Sequence, residues 1–364
     1  MNIVDIKDTS GKLFYIGGVV RDELLGRKSF DIDITYIGNA IEYCAKFGKV
    51  LRVNPDFGTI RVDVGGREVD FASTRAEVYD RKGHLPRVTK IGCSLKEDVL
   101  RRDFTVNALA KSVTTGEIID YTGGLEDLKH KTLRVLHDES FIDDPTRIIR
   151  GLKFAVRFGF ELDEHTKKLQ TDYLSNINYD MCYKRVKKEL TETFNLNSQE
   201  AFERFISQGI YKLVTEKDIC IPQVNIEKLI KEYPVPNVWL VYTGILGDLS
   251  RLELTRQEKK ILDDFAALQN TQMNDDYEIY KAFTDTEPES ILLYAVMQDE
   301  TKARRYLDYL QNIKIQTTGD DLQNLGIKPS PEYKVIFDKI LRAKLQNPQM
   351  SKADEISLIK NSLE

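Results

Sequence analysis

Two aspartates separated by one residue are the part of the sequence best suited to chemistry. Asp31 and Asp33 flank Ile32 in the run FDIDIT. On a β-strand alternate side chains point to the same face, so both carboxylates would project together while Ile32 and Ile34 would face the core. Such a pair suits Mg²⁺, which prefers hard oxygen ligands and completes its shell with substrate phosphates. By itself the pattern is most often a solvated strand face, so its interpretation depends on the neighbouring residues.

A glycine pair precedes these aspartates and suits phosphate binding. Gly17 and Gly18 lie between an apolar, strand-like run and a segment with helical spacing. Glycine lets backbone N–H groups approach a phosphate, and the helix N-terminus adds a favourable dipole. Arg21, one turn later, is placed to donate charge-assisted hydrogen bonds to the same phosphates. A plain turn is the alternative for the glycines alone, but together with the aspartates they predict a site for a triphosphate and metal ions.

The elements that would hold these residues fall into two blocks. Up to about residue 130, short β-branched and alternating runs are punctuated by glycine. They predict a small α/β or α+β domain with a mostly antiparallel sheet. From about residue 140 helical periodicity dominates, and polar turns separate the helices. The sequence therefore predicts a mixed head followed by an all-helical remainder.

Length and composition set limits on the class of protein. A chain of 364 residues is too long for one ordinary core and predicts two to four domains. The first residues lack the apolar region of a signal peptide, and the apolar stretch 238–246 is too short to cross a bilayer. The four cysteines are scattered, which favours free thiols over a zinc site. We expect a soluble, cytoplasmic protein, and the net charge of −5 does not exclude a local basic face.

The run GGVVRDELLGRKSFDID resembles the signature of the class II tRNA nucleotidyltransferases (CCA-adding enzymes) and bacterial poly(A) polymerases, within the polymerase-β-like superfamily. The glycine pair, the Arg21-Asp22 dipeptide, the LLG turn and both aspartates are all in register. The resemblance is strong over residues 14–160 and looser beyond.

This resemblance implies an α+β fold and a particular reaction. A polymerase-β-like nucleotidyltransferase head with a mixed sheet would occupy residues 1–137. An all-helical neck that recognises the base would follow at residues 138–196, and a helical body and tail that bind tRNA at residues 197–364. The implied reaction is template-independent addition of CCA, from CTP and ATP, to the 3′ end of tRNA. Mg²⁺ would be bound by Asp31 and Asp33.

The segment RRDFTVNALA resembles the family's second motif. The resemblance implies that Arg102 and Asp103 contact the ribose of the incoming nucleotide. A carboxylate that accepts from the 2′-hydroxyl would distinguish ribonucleotides from deoxyribonucleotides. The alternative is an Arg-Asp surface pair at the start of a helix, with Asn107 capping or bracing that helix.

The segment FIDDPTRIIRGLKFAVRFGF begins a helix at Pro145 and resembles the family's base-reading motif. Asp144 and Arg147 match the two residues that act as an amino-acid template, and Arg150 follows on the same helix as a further nucleotide-binding candidate. A carboxylate accepts from the exocyclic amine of cytosine or adenine, whereas uracil and guanine present a carbonyl there. Asp143 replaces the usual glutamate, which leaves its role open. A charged helix N-terminus is the alternative.

Two other segments resemble parts of the family. Residues 73–98 are similar to a flexible loop that helps the pocket move from CTP to ATP, with a long surface loop as the alternative. The presence of this segment argues against a CC-adding subtype. In CYKRVKKELTETF, Arg185 and Glu189 match a motif that stabilises the neck. Lys187 and Lys188 would add a basic stripe that follows tRNA phosphates.

Alternatives within and outside the family stay open. An A-adding specialist is the nearest rival, because the segment SFIDDPTR also resembles sequences from organisms that split the activity. The flexible-loop segment does not separate full CCA addition from A-only addition. A bacterial poly(A) polymerase and a non-catalytic RNA-binding protein are further alternatives, although both aspartates expected of an enzyme are present. Oligomeric state, tRNA preference and protein partners do not follow from the sequence.

Overall fold

The structure, a computed structural model, describes residues 6–29 and 31–363. It divides into two compact units. The first unit runs to Thr193 and includes Glu200–Lys217, and the second comprises Phe194–Gln199 and the chain from Asp218 onward. The predicted α+β class is confirmed, since the sheet lies in the first unit and the second is helical. The finer division into head, neck and body stays a prediction.

The strands belong to the first unit, and their bounds are β1 (Leu13–Ile16), β2 (Asp33–Tyr36), β3 (Lys49–Asn54), β4 (Thr59–Val64), β5 (Arg67–Ser73), β6 (Arg75–Val78), β7 (Arg87–Ile91), β8 (Ala110–Ser112), β9 (Ile118–Ile119), β10 (Thr132–Leu133) and β11 (Glu161–Leu162). Seven of them form one sheet in the order β3-β4-β5-β2-β1-β8-β9. Within this sheet β2 and β5 are parallel, and the other neighbouring pairs are antiparallel. The predicted mixed, mostly antiparallel sheet is therefore confirmed.

Alternation of apolar and polar residues explains this sheet. On β4, Ile60 and Val62 are buried, and on β5, Val69 and Phe71 are buried, whereas the residues between them are more exposed. Because side chains alternate between the faces of a strand, one face packs on the core and the other carries polar side chains. The polar face is where the candidate site lies.

The helices of the first unit are α1 (Gly18–Leu24), α2 (Ala40–Cys44), α3 (Leu95–Leu100), α4 (Gly124–Lys129), α5 (Ser140–Asp143), α6 (Thr146–Phe158), α7 (Glu164–Ser175), α8 (Tyr183–Phe194) and α9 (Gln199–Ser207), of which the last two extend across its boundaries. Pro145 caps α6, as predicted, and Gly159 ends it in the left-handed conformation. The helix buries apolar residues and two basic ones, Arg147 and Lys153.

Two of the alternative interpretations of local segments were wrong. Residues 73–98 are not a simple loop, because β6 and β7 pair as an antiparallel hairpin and α3 follows with a capping box between Ser94 and Glu97. The hairpin was missed because its strands are largely solvated and lack an apolar alternation. Nor does a helix begin at Arg101: α3 ends just before it, and only a short 3₁₀ turn, Thr105–Asn107, leads into β8.

The second unit consists of the helices α10 (Ile226–Glu232), α11 (Val238–Thr243), α12 (Arg256–Gln269), α13 (Asp276–Phe283), α14 (Pro288–Met297), α15 (Glu300–Arg304), α16 (Gly319–Asn324), α17 (Glu332–Gln346) and α18 (Lys352–Leu363). Leu322, Ile340 and Ile359 form a small apolar core among its last three helices. In the described part of the chain, no helix combines the length and apolar character needed to span a bilayer.

Candidate active site

The glycine pair forms a tight turn from β1 into α1. Gly17 has φ 72° and ψ −125°, a conformation that favours glycine, and its N–H donates to the carbonyl of Leu109 (3.1 Å). A Cβ atom added at Gly17 would lie 3.1 Å from Nη1 of Arg102. The absence of a side chain therefore lets the Arg102 guanidinium lie directly against the turn.

Replacement of Gly17 by alanine tests this close approach. We expect Gly17→Ala to displace Arg102 and to lower kcat/KM for the nucleotide on the order of tenfold, because small displacements of a positioning group reduce rates steeply. Gly26→Ala is the matched control: Gly26 also has a positive φ (67°), but a Cβ there would meet no atom within 4 Å. Equal loss of activity in both variants, in steady-state assays at matched thermal stability, would show that only backbone strain matters.

The two aspartates lie at the start of β2 on the polar face of the sheet. Asp33 is the first residue of the strand, and Asp31 lies two residues before it. Asp70 of β5 is registered opposite Asp33. Burial, followed by the charges of Asp70 and Asp31, raises the pKa of Asp33 to about 6 against the opposing charge of Arg102. The structure thus brings three carboxylates together with two arginines, Arg102 and Arg61.

These carboxylates fit a divalent cation. Burial first, and then the charges of Asp70 and Asp31, hold the pKa of Asp33 above its usual range, and a bound cation would offset both effects. Within residues 6–29 and 31–363, no three carboxylate, histidine or cysteine side chains form a ready-made metal cage. Asp31 and Asp33 would therefore hold a metal together with water and substrate oxygens, as Mg²⁺ is usually bound.

Arg102 lies between the glycine turn and the aspartates. Its Nη2 atom donates to Asp98 (3.2 Å), while its Nε atom is buried and lacks a hydrogen-bond partner among the described residues. A buried donor of this kind is costly unless a ligand or water satisfies it. Arg102 thus offers an unused donor close to both the turn and the carboxylates.

Arg21 and Asp103 lie deeper than the sequence indicated. Arg21 is 4% exposed, donates to Asp22 (2.7 Å) and Asn107 (2.5 Å), and packs over the ring of Phe158. A direct contact between Arg21 and a phosphate would require it to leave these partners. In its observed position Arg21 supports the glycine turn from the interior of the protein.

Asp103 is buried, so the alternative of a surface Arg-Asp pair is wrong. Its Oδ2 atom accepts two hydrogen bonds from Arg150 (2.8 and 2.6 Å), and its Oδ1 atom accepts from Asn107 (3.0 Å). Burial would raise the pKa of Asp103, but the charge of Arg150 and hydrogen bonds from Asn107 and Arg150 lower it to about 2. Arg150 also contacts Glu189 (3.3 Å), the carboxylate to which Lys153 donates (2.7 Å).

The candidate base-reading pair lies at the junction of α5 and α6. Asp144 accepts from the N–H and hydroxyl of Thr146 (3.1 and 2.6 Å) and forms an ion pair with Arg185 of α8. Arg147 donates to the hydroxyl of Ser140 (2.7 Å) and the carbonyl of Arg101 (2.8 Å). Both side chains are about 4% exposed, so each must exchange a partner to contact a base.

A cavity of 590 Å³ adjoins this pair. Tyr79, Arg101 and His137 line it, and all three approach Arg147. Burial and the charge of Arg147 lower the pKa of His137, which favours a neutral imidazole beside the guanidinium. Asp143 also lines the cavity and pairs with Lys82 (2.5 Å), which fastens the β6–β7 hairpin to α5. Asp143 therefore has a structural partner in this protein.

The three residues of the Arg101–Asp103 segment each reach a different part of the site. The carbonyl of Arg101 contacts the base-reading pair, Arg102 faces the aspartates, and Asp103 holds Arg150. The segment therefore links the two regions that the sequence treated as separate motifs. The sequence interpretation missed the partners Asp70, Tyr79, Ser140 and His137, and it gave Arg185 only a role in the neck.

The predicted basic stripe lies on α8. Lys188 is exposed and has one weak ion pair with Glu192 (3.7 Å), and Lys187 is partly exposed on the same helix. The interactions given above for Asp33 and its neighbours do not involve either lysine. Their assignment to RNA phosphates stays a prediction.

The chain is similar to known proteins over its N-terminal part and over most of its length. Residues 13–134 match the family model described as the poly A polymerase head domain. The A-adding tRNA nucleotidyltransferase of Geobacter sulfurreducens is 30% identical over 95% of this chain, and the chain spans 44% of the length of that relative.

Solved structures cover nearly the whole chain. The Thermotoga maritima CCA-adding enzyme complexed with tRNA superimposes with a TM-score of 0.77 at 26% identity, covering 97% of this chain and 92% of that one. A CCA-adding enzyme in complex with CTP has a TM-score of 0.77 at 25% identity, covering 97% and 89% of the two chains.

Proposed function

We propose that this chain, which belongs to the nucleotidyltransferase family of the CCA-adding enzymes and poly(A) polymerases, adds nucleotides to the 3′ end of tRNA without a nucleic-acid template. The observation that carries the proposal is the convergence of the glycine turn, Arg102 and the aspartates on one face of the sheet, linked through Arg101–Asp103 to Asp144 and Arg147. A protein that only bound RNA would not need this carboxylate pair.

Asp31 and Asp33 would hold Mg²⁺, which is the divalent metal that fits two carboxylates and phosphate oxygens. When bound, the metal supplies a Lewis acid that favours ionisation of the attacking 3′-hydroxyl and neutralises charge on the phosphates. Gly17, Gly18 and Arg102 would orient the triphosphate through backbone N–H groups and the unused donor of the guanidinium. Arg21 would keep the turn in place rather than contact the phosphates, because its partners are internal.

Asp144 and Arg147 would select the base. A carboxylate accepts from the amine of cytosine or adenine and opposes the carbonyl of uracil or guanine. Arg185 forms an ion pair with Asp144, which orients the carboxylate as an acceptor. Asp103 and Arg150 support this region as a buried ion pair, and contact between Asp103 and the ribose stays a prediction.

Full CCA addition from CTP and ATP is our first candidate, supported by the likeness to a CCA-adding enzyme solved with CTP. Addition of the terminal A alone is the second candidate, favoured by the A-adding relative from Geobacter sulfurreducens. Both candidates share the last step, transfer of AMP to tRNA that ends in CC.

Incubation of the protein with tRNA ending in the discriminator base, in C or in CC, each with labelled CTP or ATP, tests these candidates. A CCA-adding enzyme extends all three substrates to CCA when both nucleotides are present. An A-adding enzyme extends only tRNA ending in CC. Repeated AMP addition to unrelated RNA would instead indicate a poly(A) polymerase, and no incorporation into any substrate would contradict the proposed function.

The basic stripe on α8 predicts an electrostatic part of tRNA binding. We expect binding to weaken steeply with salt despite the net negative charge, and charge reversal at Lys187 and Lys188 to raise Kd with little change in base choice. Reversal of Lys167 and Lys168, two exposed lysines on α7, is the control for total charge. An equal rise in Kd for both double variants, measured by filter binding over a salt series, would remove the stripe from the tRNA site.

A further inference from the structure

A row of registered side chains crosses the sheet from its edge to the aspartates. Arg52 of β3 is paired with Arg61 of β4, Arg61 with Asp70 of β5, and Asp70 with Asp33 of β2. Registered partners on adjacent strands lie on the same face. The opposite face carries the buried apolar residues, such as Val62 and Phe71.

A bulge in the edge strand brings Arg52 into this row. The register between β3 and β4 shifts between Val50 and Arg52, so that two steps along β3 correspond to one step along β4. Without the extra residue, the side chain at Arg52 would point to the other face. Bulges are common at sheet edges and next to active sites, where they re-aim a side chain.

The two arginines of the row differ in their partners. Arg61 donates to both carboxylate oxygens of Asp70 (2.7 and 2.6 Å), so its charge is largely matched. Arg52 is exposed, and in the described residues no hydrogen bond or ion pair occupies it. A recess of 210 Å³ lies beside it, lined also by Asn54, Thr59 and Asp70. An unpaired arginine with amide and hydroxyl donors is suited to a phosphate.

The in-line geometry of phosphoryl transfer indicates that the RNA approaches the aspartates from the side of β5, β4 and β3. Phosphoryl transfer places the attacking and leaving oxygens roughly in line. The glycine turn, which would hold the leaving pyrophosphate, follows β1, and β1 lies on one side of β2. The attacking 3′-hydroxyl must then approach from the other side of β2, where β5, β4 and β3 carry the row.

We propose that this row is the binding track for the 3′ end of the substrate RNA, and that Arg52 binds one of its backbone phosphates. The proposal rests on the function proposed above. Three strand spacings separate β2 from β3, roughly 14 Å in all. With stacked nucleotides about 3.4 Å apart, Arg52 contacts a phosphate a few nucleotides from the reacting end. The contact is to the backbone, so it serves every step of addition and does not read a base.

Kinetics with tRNA ending in CC and saturating ATP test the track. Arg52→Ala is expected to raise KM for tRNA on the order of tenfold. The slope of the logarithm of the tRNA binding constant against the logarithm of salt concentration should become shallower by about one. KM for ATP and base choice should not change. Lys49→Ala is the matched control: Lys49 is on the same strand but opposite Asp63, whose other neighbour is Glu68, so a phosphate would meet two carboxylates there. Unchanged KM for tRNA in Arg52→Ala, or an equal rise in Lys49→Ala, would overturn the proposal.

Binding without chemistry separates this inference from the proposed function. An acceptor-stem minihelix with a single-stranded 3′ tail should bind wild-type protein more tightly than the same stem without the tail. Arg52→Ala should abolish most of that difference, and Arg52→Lys should restore part of it. If wild-type protein incorporates no nucleotide, the proposed function fails on that observation alone. If the single-stranded tail adds the same affinity in wild type and in Arg52→Ala, the proposed binding track is wrong even though the enzyme is active.

Discussion

Asp33→Asn is expected to abolish incorporation of both CMP and AMP while leaving tRNA binding nearly intact. The metal-assisted step is common to every nucleotide added, so the loss should be on the order of 10³-fold or more. Phosphate contacts elsewhere dominate the affinity for RNA, so Kd for tRNA should change little. Asp31→Asn should behave in the same way. Labelled nucleotide incorporation and filter binding, measured on the same preparations, check both expectations.

The stability of this variant adds a second readout. The pKa of Asp33 is raised from 3.8 to about 6, so ionisation of the carboxyl disfavours the folded state increasingly as the pH rises between these two values, and fully above pH 6. Removal of that charge should leave the melting temperature unchanged or raise it, whereas loss of a structural carboxylate would lower it. Glu68→Gln, on the same face of the sheet two residues before Asp70, is the matched control and should keep its activity. Retention of near wild-type incorporation by Asp33→Asn would show that the metal assignment is wrong.

Asp144→Ala is expected to reduce the rates with CTP and ATP while the relative use of UTP or GTP rises. The substitution removes both the acceptor for the base amine and the charge that opposes a carbonyl. Arg147→Ala should depress both correct nucleotides, because the donor to the ring edge is lost. Each lost charge-assisted contact should cost about 1.5–3 kcal/mol, or roughly 10- to 150-fold in rate. Relative incorporation of the four ribonucleotides onto tRNA lacking its terminal A measures the effect.

If Asp144 had only a structural role, its replacement would change stability rather than base choice. Another buried carboxylate, Asp127, is the control for such a role. Asp127 is also buried, accepts from the hydroxyl of Thr105 (2.7 Å) and pairs with Arg134 (3.1 Å), so its contacts match those of Asp144 in kind. Asp127→Ala should lower the melting temperature and slow all four nucleotides in proportion. If Asp144→Ala also lowers stability and leaves the nucleotide ratios unchanged, the template assignment fails.

If the proposed function holds, the separation of these two aspartate sites would let one protein use more than one nucleotide. The proposed chemistry at Asp33 would not depend on the base, and the proposed selection at Asp144 would not involve the metal. Arg101–Asp103 joins them through consecutive residues, so a shift of the base-reading pair can be transmitted to Arg102 over a short stretch of backbone. Variants of Arg185, which pairs with Asp144 across 41 residues, should therefore affect base choice more than the rate of the shared step.

Local patterns in the sequence determined the elements of the catalytic half of this protein. The alternation through Ile60, Val62, Val69 and Phe71 predicted strands with one buried face, because side-chain direction along a strand depends only on position. Glycine at position 17 predicted a turn because its conformation is a property of that residue, and Pro145 predicted a helix start for the same reason. The paired aspartates form a short-range pattern, and the candidate base-reading pair could be assigned because a short segment resembles the family's motif.

The tertiary structure alone decided which of these groups meet and which are occupied. The row from Arg52 to Asp33 depends on strand register and on one bulge, and nothing within a single strand encodes which residue lies opposite. The burial of Arg21 and Asp103 depends on partners far along the chain, namely Asn107 and Arg150. Charged residues have no local pattern that separates a solvated side chain from one paired in the interior, because the difference is made by desolvation and by a partner that only the folded chain supplies.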